Sequence, residues 1–243
     1  MKQTKQAAES EARSSVGSEA AGGTDDHIPD RPTLVLARLR EMLLRGELAP
    51  GTAVRQEQTA ARLGVSAIVV REALRQLAAE GRLQYFTNRG YVVTDLSLDD
   101  IRELYLISSL LEPEAIGRTV PLLSADDVAS MRSIQGAMDD AERRGDHVGH
   151  VLLHRELHFT LFNRCGLPRL MSELHKVWEH LDYYRAAQRL SADNTPHDLR
   201  REHGALVEAA KRGNVERVLA LAEKHRNRSL QIIKDTAPKP PGG

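Results

Sequence analysis

The sequence is poor in cysteine and in aromatic residues, and each shortage excludes a class of protein. Cys165 is the only cysteine of the 243 residues, so no internal disulfide can form and a reducing, cytoplasmic setting is the simplest expectation. Aromatic residues make up 4% of the chain, so its cores must consist mainly of Leu, Val, Ala and Ile. No apolar run approaches the ~18 residues that a membrane-spanning helix needs, and no signal peptide pattern opens the chain. We therefore expect no membrane partner.

An excess of charge of one sign is also missing, which at first argues against a nucleic-acid partner. The formal net charge is +0 at pH 7, with 34 basic and 34 acidic side chains. The charge is nevertheless uneven, because residues 31–97 hold ten arginines against six acidic residues, whereas residues 98–235 hold 20 basic and 22 acidic residues. The positive potential therefore lies in the segment that carries the motif described next.

Residues 63–77, LGVSAIVVREALRQL, are typical of the second half of a helix-turn-helix. Gly64 is suited to end one helix, and Ser66 can cap the next by accepting a hydrogen bond from a backbone N–H. An apolar stripe at i, i+4 and i+7 follows in this second helix, formed by Val70, Leu74 and Leu77. The opposite side of this helix is expected to be free to contact a partner and to carry Ala67, Ile68, Arg71 and Arg75. We expect that partner to be double-stranded DNA.

Composition and periodicity divide the chain into four segments. We predict disordered tails at 1–30 and 236–243, since neither shows a periodic apolar pattern. Residues 31–97 are predicted as a winged helix-turn-helix with helices at 32–48, 56–63 and 66–80 and strands at 83–86 and 90–94. Residues 98–235 are predicted as an all-helical bundle. The fold class is therefore mainly α, with six or seven helices in the C-terminal bundle.

The boundaries of the C-terminal helices are marked by capping residues and glycines. Helices are predicted at 98–120, 124–144, 147–165, 167–191, 196–212 and 214–235. Ser97 and Ser124 precede pairs of aspartates, as helix-capping residues do. Pro113 inside the first of these helices predicts a kink or a split. A bundle of helices of this length can hold a ligand at its centre.

Eight residues of the N-terminal segment are candidates for contacts with DNA: Arg55, Ser66, Ala67, Ile68, Arg71, Arg75, Arg89 and Gly90. Arg71 can reach a guanine edge or a phosphate, but it could also be a solvated arginine on an exposed face. Ser66 could cap the helix alone or also donate to a phosphate. Arg89 and Gly90 suit the tip of a wing, although a plain hairpin turn would look the same.

Four histidines of the C-terminal segment form a candidate metal site. His154 and His158 are spaced i, i+4 and project from one helical face, while His203 and His225 follow apolar stripes on two later helices. These imidazoles could meet around one divalent ion, but each could also be a core histidine with a hydrogen-bond partner. Four nitrogen ligands would favour Zn²⁺ or Ni²⁺, with Mn²⁺ as an alternative. Five other histidines are predicted as surface or interface residues: His147, His150, His175, His180 and His197.

The chain resembles the GntR superfamily of transcription factors, in the branch with an all-helical FCD domain. The resemblance covers nearly all of 32–235 and rests on several motifs in order. They are the G-x-L-x-P-G turn at 46–51, LGVS at 63–66, VREAL at 70–74, the Arg89-Gly90 wing, Glu112, His158 with Leu161, Glu202-His203 and His225. It implies a homodimer that binds a palindromic operator, most simply as a repressor, and responds to a small metabolite.

Four features of the sequence depart from the family pattern. The recognition helix opens Ser66-Ala67-Ile68, where the family usually has Ser-Arg-Thr, and the Glu-Arg of the preceding helix is Gln56-Glu57. The family's metal histidines match His158, His203 and His225, but His154 replaces a usual aspartate. Ser108 stands where the family often has an arginine, so no carboxylate clamp is expected there. Either the effector anion is then bound mainly by the metal, or the effector is less acidic than a carboxylate. The expected wall residues are Ser108, Tyr105, Tyr183, Tyr184 and Arg185.

Two other functions remain open on the sequence alone. A metal held by three histidines with an open position is also the arrangement of a hydrolase. No second motif supplies a base, nucleophile or oxyanion hole, so we do not expect an enzyme. A helical module with a structural metal and no ligand sensing is the other alternative.

Overall fold

The computed structural model describes residues 31–95, 97–191 and 197–236. The predicted disordered tail at 1–30 lies outside these ranges, as does nearly all of the tail at 236–243. Within them the protein is mainly α-helical, as the sequence predicts. No helix in the described ranges combines the length and the apolar character that crossing a membrane requires.

The N-terminal part is a winged helix-turn-helix. It comprises α1 (Arg31–Leu44), β1 (Ala53–Val54), α2 (Gln56–Leu63), α3 (Ala67–Ala79), β2 (Leu83–Phe86) and β3 (Gly90–Val93). The three strands form an antiparallel sheet in the order β1-β3-β2. The short strand β1 was missed by the sequence prediction, because two residues show no alternation from which a strand can be inferred.

Local sequence explains the turn between α2 and α3. Gly64 adopts φ 66°, the left-handed conformation that a glycine tolerates, and ends α2. Ser66 then accepts a hydrogen bond from the backbone N–H of Val69 and caps α3. The predicted stripe is buried, with Val70, Leu74 and Leu77 fully enclosed. The first helix is shorter than predicted, because Gly46, with φ 69°, turns the chain soon after Leu44.

Six α-helices follow in the described residues, as predicted. They are α4 (Leu98–Thr119), α5 (Ala125–Arg143), α6 (His147–Thr160), α7 (Pro168–Ser191), α8 (His197–Lys211) and α9 (Val215–Thr236), with a 3₁₀ turn at Val120–Leu122. Ser97 and Ser124 each form a capping box with an aspartate three residues later. Pro113 does not split α4, since it lies on the exposed side, where water can solvate the carbonyl that loses its donor.

The core of the helical part lies between α4, α5, α6, α7, α8 and α9. Trp178 of α7, Phe162 and Leu157 are among its fully buried side chains. The helix α7 also contacts α1, so it joins the helical part to the N-terminal domain. Its residue Tyr183 packs into the core of the N-terminal domain. Any rearrangement of α7 can therefore act on both parts of the protein.

Candidate DNA-binding face and metal centre

The side of α3 opposite the buried stripe is open to solvent. The side chains of Arg71 and Arg75 are 56% and 77% exposed, and Ile68 is also exposed. Glu72 lies 3.8 Å from Arg71 and 4.0 Å from Arg75, so it holds neither guanidinium in a short hydrogen bond. Both arginines can therefore reach toward a partner.

Ser66 and Ala67 lie at the start of the same helix. Ser66 is exposed and caps α3, whereas Ala67 is half-buried against the domain core. The Ala67 carbonyl accepts a hydrogen bond from the Gln56 side-chain amide at 2.9 Å. The structure therefore corrects the expectation that Ala67 faces outward together with Ile68.

The wing is a tight hairpin between β2 and β3. Gly90 has φ 71°, and the backbone N–H of Arg89 donates to the carbonyl of Phe86 at 3.1 Å. The Arg89 side chain is exposed at the hairpin. Arg55 is exposed just before the first residue of α2. The predicted wing geometry is thus present, with an exposed arginine at its turn.

The four predicted histidines meet in the core of the helical part. His154 and His158 come from α6, His203 from α8 and His225 from α9, and all four are buried. Each offers a ring nitrogen, and these four nitrogens lie within 4.8 Å of one another. The Nε2 atoms of His154 and His225 are 3.0 Å apart. Side chains from three separate helices therefore converge on one point.

The chemistry of this cluster fits a divalent cation. Among the described residues, the Nε2 atoms of His158 and His203 have no hydrogen-bond partner. An unpaired buried nitrogen is costly, whereas a shared cation would satisfy several at once. In tetrahedral zinc sites with Zn–N of 2.0–2.1 Å, ligand nitrogens are about 3.3 Å apart, close to the His154–His225 separation. Burial lowers the pKa of all four histidines, which favours the neutral form that binds metal.

Glu202 fixes the orientation of one of these rings. Its Oε2 lies 3.2 Å from Nδ1 of His225, and its Oε1 accepts a hydrogen bond from Arg228 at 2.9 Å. The hydrogen bond from His225 is the largest cause that lowers the pKa of Glu202 to about 2. The carboxylate therefore holds the proton of His225 on Nδ1 and leaves Nε2 directed at the cluster. The sequence analysis names Glu202 only as part of a family motif and assigns it no function.

A fifth histidine lies one turn before His154. His150 is buried, with Nδ1 placed 3.3 Å from the Met138 carbonyl and Nε2 placed 2.8 Å from the Arg189 guanidinium. The prediction that His150 is a surface or interface residue is therefore wrong. Its i, i+4 spacing to His154 was the signal that could have revealed this burial.

A layer of charged and aromatic groups covers one side of the cluster. The Trp178 ring packs against His154 and His158, with centroids 5.6 and 5.0 Å apart. The Arg185 guanidinium lies 4.4 Å from the centroid of Trp178, and its Nε has no hydrogen-bond partner within the described part of the chain. The Arg185 side chain, of which 13% is exposed, is thus a largely buried cation next to the histidines. The ring of Tyr105, also buried, lies 5.9 Å from the same guanidinium.

The hydroxyl of Ser108 already has a hydrogen-bond partner within the protein. Its hydroxyl donates to Glu112, whose carboxylate also accepts from the Trp178 indole at 3.0 Å and from Arg226 at 2.5 Å. Glu112 is therefore fully engaged, and its charge is balanced by Arg226. Tyr183 does not line this region, because it packs into the N-terminal domain core. The expectation that Tyr183 is a wall of the effector site is inconsistent with this position.

Ion pairs connect this layer to the N-terminal domain. Arg185 donates to Asp182 at 3.0 Å, Arg155 lies 3.2 Å from Asp182 and 4.0 Å from Glu179, and Glu179 accepts from Arg82 at 3.0 Å. We name these five residues the α7 ion-pair chain. Arg82 directly precedes β2 of the wing, and only 8% of its side chain is exposed. Sequence reasoning missed this connection because its members come from three separate parts of the chain.

Comparison with known proteins agrees with this two-part organisation. A family model described as bacterial regulatory proteins of the gntR family matches residues 33–93, and the FCD domain model matches residues 103–228. These matches fall inside the two folded segments predicted from the sequence.

Known relatives and solved structures carry the names of regulators. The uncharacterized HTH-type transcriptional regulator BphR of Paraburkholderia xenovorans (strain LB400) is 30% identical over 208 residues, 81% of this chain and 82% of that protein. A probable D-xylose utilization operon transcriptional repressor of Paenarthrobacter nicotinovorans is 27% identical over 190 residues, covering 76% and 82% of the two chains. The structure of E. coli McbR/YncC, at 22% identity, superposes with a TM-score of 0.74 over 84% of this chain and 97% of that chain, which shows a shared fold. The chain therefore belongs to the GntR family and is a DNA-binding transcriptional regulator, not an enzyme, with an FCD domain as its C-terminal part.

Proposed function

We propose that this regulator is a repressor that binds a palindromic operator as a homodimer and changes its affinity when a metabolite joins a metal ion in the helical domain. The observation that carries the proposal is the buried cluster of four histidines, with unpaired nitrogens, in a chain that also has a winged helix-turn-helix. The relative that is named a probable repressor supports the sign of regulation. A reducing cytoplasm, expected from the single cysteine, remains a prediction.

The operator contacts are assigned to the exposed face of α3 and to the wing. Arg71 and Arg75 supply guanidinium groups that can reach guanine edges or phosphates, and Ile68 can pack against a thymine methyl group. Ser66, Arg55, Arg89 and Gly90 are assigned to the DNA backbone, which sets the register of the domain on the duplex. Ala67, half-buried, contributes at most a close approach of the helix backbone.

Two exposed leucines on α4 support the homodimer. Leu106 and Leu110 are 57% and 69% exposed and lie one turn apart, so they form an apolar strip on the outside of the helical part. Large apolar side chains that are exposed next to one another are typical of an interaction surface. A second copy of the chain would cover both strips and present two recognition helices to the two halves of a palindrome.

The cation is assigned to His154, His158, His203 and His225. Four imidazole nitrogens favour Zn²⁺ or Ni²⁺ over Mn²⁺, which prefers oxygen ligands. An ion that keeps a fifth or sixth coordination position open beside these four nitrogens would supply a Lewis-acidic site for a carboxylate of the metabolite. Arg185 is the protein group best suited to hold the same anion, because it is a largely buried cation beside the histidines and its own Nε has no hydrogen-bond partner among the described atoms. Ser108 has a hydroxyl already used by Glu112, so it is a wall residue at most.

Replacing Arg71 with alanine is expected to weaken operator binding by about 1–3 kcal/mol if the guanidinium contacts a base. The operator is first selected from random duplexes, and affinities are then measured by gel shift at several salt concentrations. Arg102→Ala is the matched control, because Arg102 is an arginine of similar exposure on α4, in the helical part. Wild-type affinity should fall as salt rises, since phosphate contacts release counterions. The DNA assignment fails if no preferred sequence emerges at any salt concentration.

Removal of the metal tests the regulatory part of the proposal. We expect chelator-treated protein to bind the selected operator with an affinity that changes again when Zn²⁺ is restored. The physical reason is that the ion joins three helices, one of which, α6, carries Arg155 of the α7 ion-pair chain. A module with a purely structural metal would lose thermal stability on chelation, while its operator affinity stayed the same at a temperature where it is folded.

A further inference from the structure

A concave surface lies between α8 and α9, on the outside of the helical part. This α8–α9 cleft is open to solvent and has a volume of ≈ 470 Å³. Its charged lining residues are Arg201, Glu202, Arg217, Lys224 and Arg228. Among the described residues, four cations and one carboxylate therefore line a space large enough for a small organic molecule.

The one carboxylate among the described residues of the cleft already has partners. Glu202 is buried, accepts from Arg228 at 2.9 Å, lies 3.4 Å from Lys224 and contacts His225 with its other oxygen. It therefore cannot also neutralise the remaining cations. Within the part of the chain that the structure describes, the guanidinium groups of Arg201 and Arg217 take part in no ion pair. The cleft is left with an excess of positive charge.

We propose that the α8–α9 cleft is a binding site for a compact polyanion, a small molecule with phosphate groups or several carboxylates. Arginine side chains on facing helices can bind such groups through paired N–H donors, and Lys224 adds a point charge. The concave shape suits a small molecule better than a duplex, whose backbone needs an extended surface. No residue of this cleft belongs to the four histidines or to the exposed face of α3.

Occupancy of the cleft would act on the metal centre through Glu202. An anion that draws Lys224 and Arg228 toward itself leaves Glu202 with fewer partners, so its contact with His225 changes. Because His225 is an assigned metal ligand, the anion would alter metal affinity, and the metal would alter anion affinity by the same factor. This consequence rests on the proposed metal centre, whereas the anion site itself does not.

The test uses full-length, metal-free protein, with inorganic pyrophosphate and tricarballylate as separate probes in isothermal titration calorimetry. We expect saturable binding of at least one probe at physiological salt. The double variant Arg217→Gln/Lys224→Gln should weaken it about tenfold or more, because two charge-assisted contacts are lost. The control Lys211→Gln/Arg212→Gln removes the same charge from exposed residues outside the lining and should leave the affinity unchanged. The preferred probe tells whether the site favours phosphate or carboxylate groups.

Three results would overturn the proposal. The first is that neither probe shows saturable binding, and the second is that both double variants weaken binding equally. The third is that Arg217→Gln/Lys224→Gln, shown by circular dichroism to be folded, binds the probe with unchanged affinity. A reduced salt dependence of operator binding in that variant, without probe binding in the wild type, would assign the cleft to DNA and also overturn it. A protein that never retains metal would leave this test intact, since all titrations are made without metal.

Discussion

Alanine at His158 or His203 is expected to abolish the retention of a divalent cation by the purified protein. Each change removes one nitrogen from a set that lies within 4.8 Å, and the Nε2 atoms of both residues have no hydrogen-bond partner among the described atoms. Loss of a group that merely orients a ligand already costs 10–100-fold in metal affinity, so loss of a ligand should cost about 100-fold or more. The measurement is metal analysis of purified protein, together with competition against a chromophoric chelator.

His175→Ala is the matched control for these variants, because His175 is an exposed histidine of α7 outside the cluster. It should retain as much metal as the wild type. Metal binding should also raise the melting temperature of the wild type and of this control, since the ion links α6, α8 and α9. Unchanged metal content in His158→Ala and His203→Ala, or a wild type that never retains metal, would refute the site.

Replacing His154 with aspartate, the residue that the family usually has at this position, tests whether His154 is a metal ligand. His154→Asp replaces a nitrogen ligand with a carboxylate oxygen, so it should shift preference from Zn²⁺ or Ni²⁺ toward Mn²⁺. The Nε2 of His154 lies 3.0 Å from that of His225, which supports its inclusion as a ligand. An identical metal preference before and after the substitution would mean that His154 is a neighbour and not a ligand.

Much of the fold could be predicted because its signals are local. Gly64 and Ser66 mark the turn before α3, and the serines that cap α4 and α5 satisfy backbone donors within the next turn. The apolar stripe of α3 is a repeat that a helix must bury. The error at the end of α1 has a local cause too, since Gly46 breaks the helix in the middle of an otherwise acceptable pattern.

The candidate site was predictable only in part. The spacing of residues shows which side chains share a face of a helix, but it does not show which residues those side chains contact. The i, i+4 spacing of His154 and His158 predicts one face, and the apolar neighbours of His203 and His225 predict that they point inward. The same spacing extends this face to His150, but nothing local indicates that Arg189 contacts His150 or that Tyr183 of α7 packs into the core of the other domain. These features depend on contacts between elements far apart in sequence.

Breaking the ion pair between Arg82 and Glu179 is expected to remove the effect of metal binding on operator affinity. Glu179 adjoins Trp178 on α7, and Trp178 packs on two of the histidines, while Arg82 leads into the wing. Arg82→Gln leaves Glu179 without its closest partner from the other domain and should destabilise the junction by about 1–3 kcal/mol. The ratio of the operator affinities of metal-free and Zn²⁺-loaded protein should then approach one. Fluorescence anisotropy with the selected operator measures both affinities.

Arg40→Gln provides the control for a simple loss of charge. Arg40 donates to Glu80, which also lies 3.4 Å from Arg82, but this pair stays within the N-terminal domain. Its removal can lower stability, yet it should preserve the response of the operator to metal. A double-mutant cycle with Glu179→Gln completes the test, because two groups that act through one contact give non-additive effects. Coupling carried along α7 predicts that Arg82→Gln adds nothing once Glu179 is changed, whereas additive losses of response would mean that the signal reaches the wing by another route.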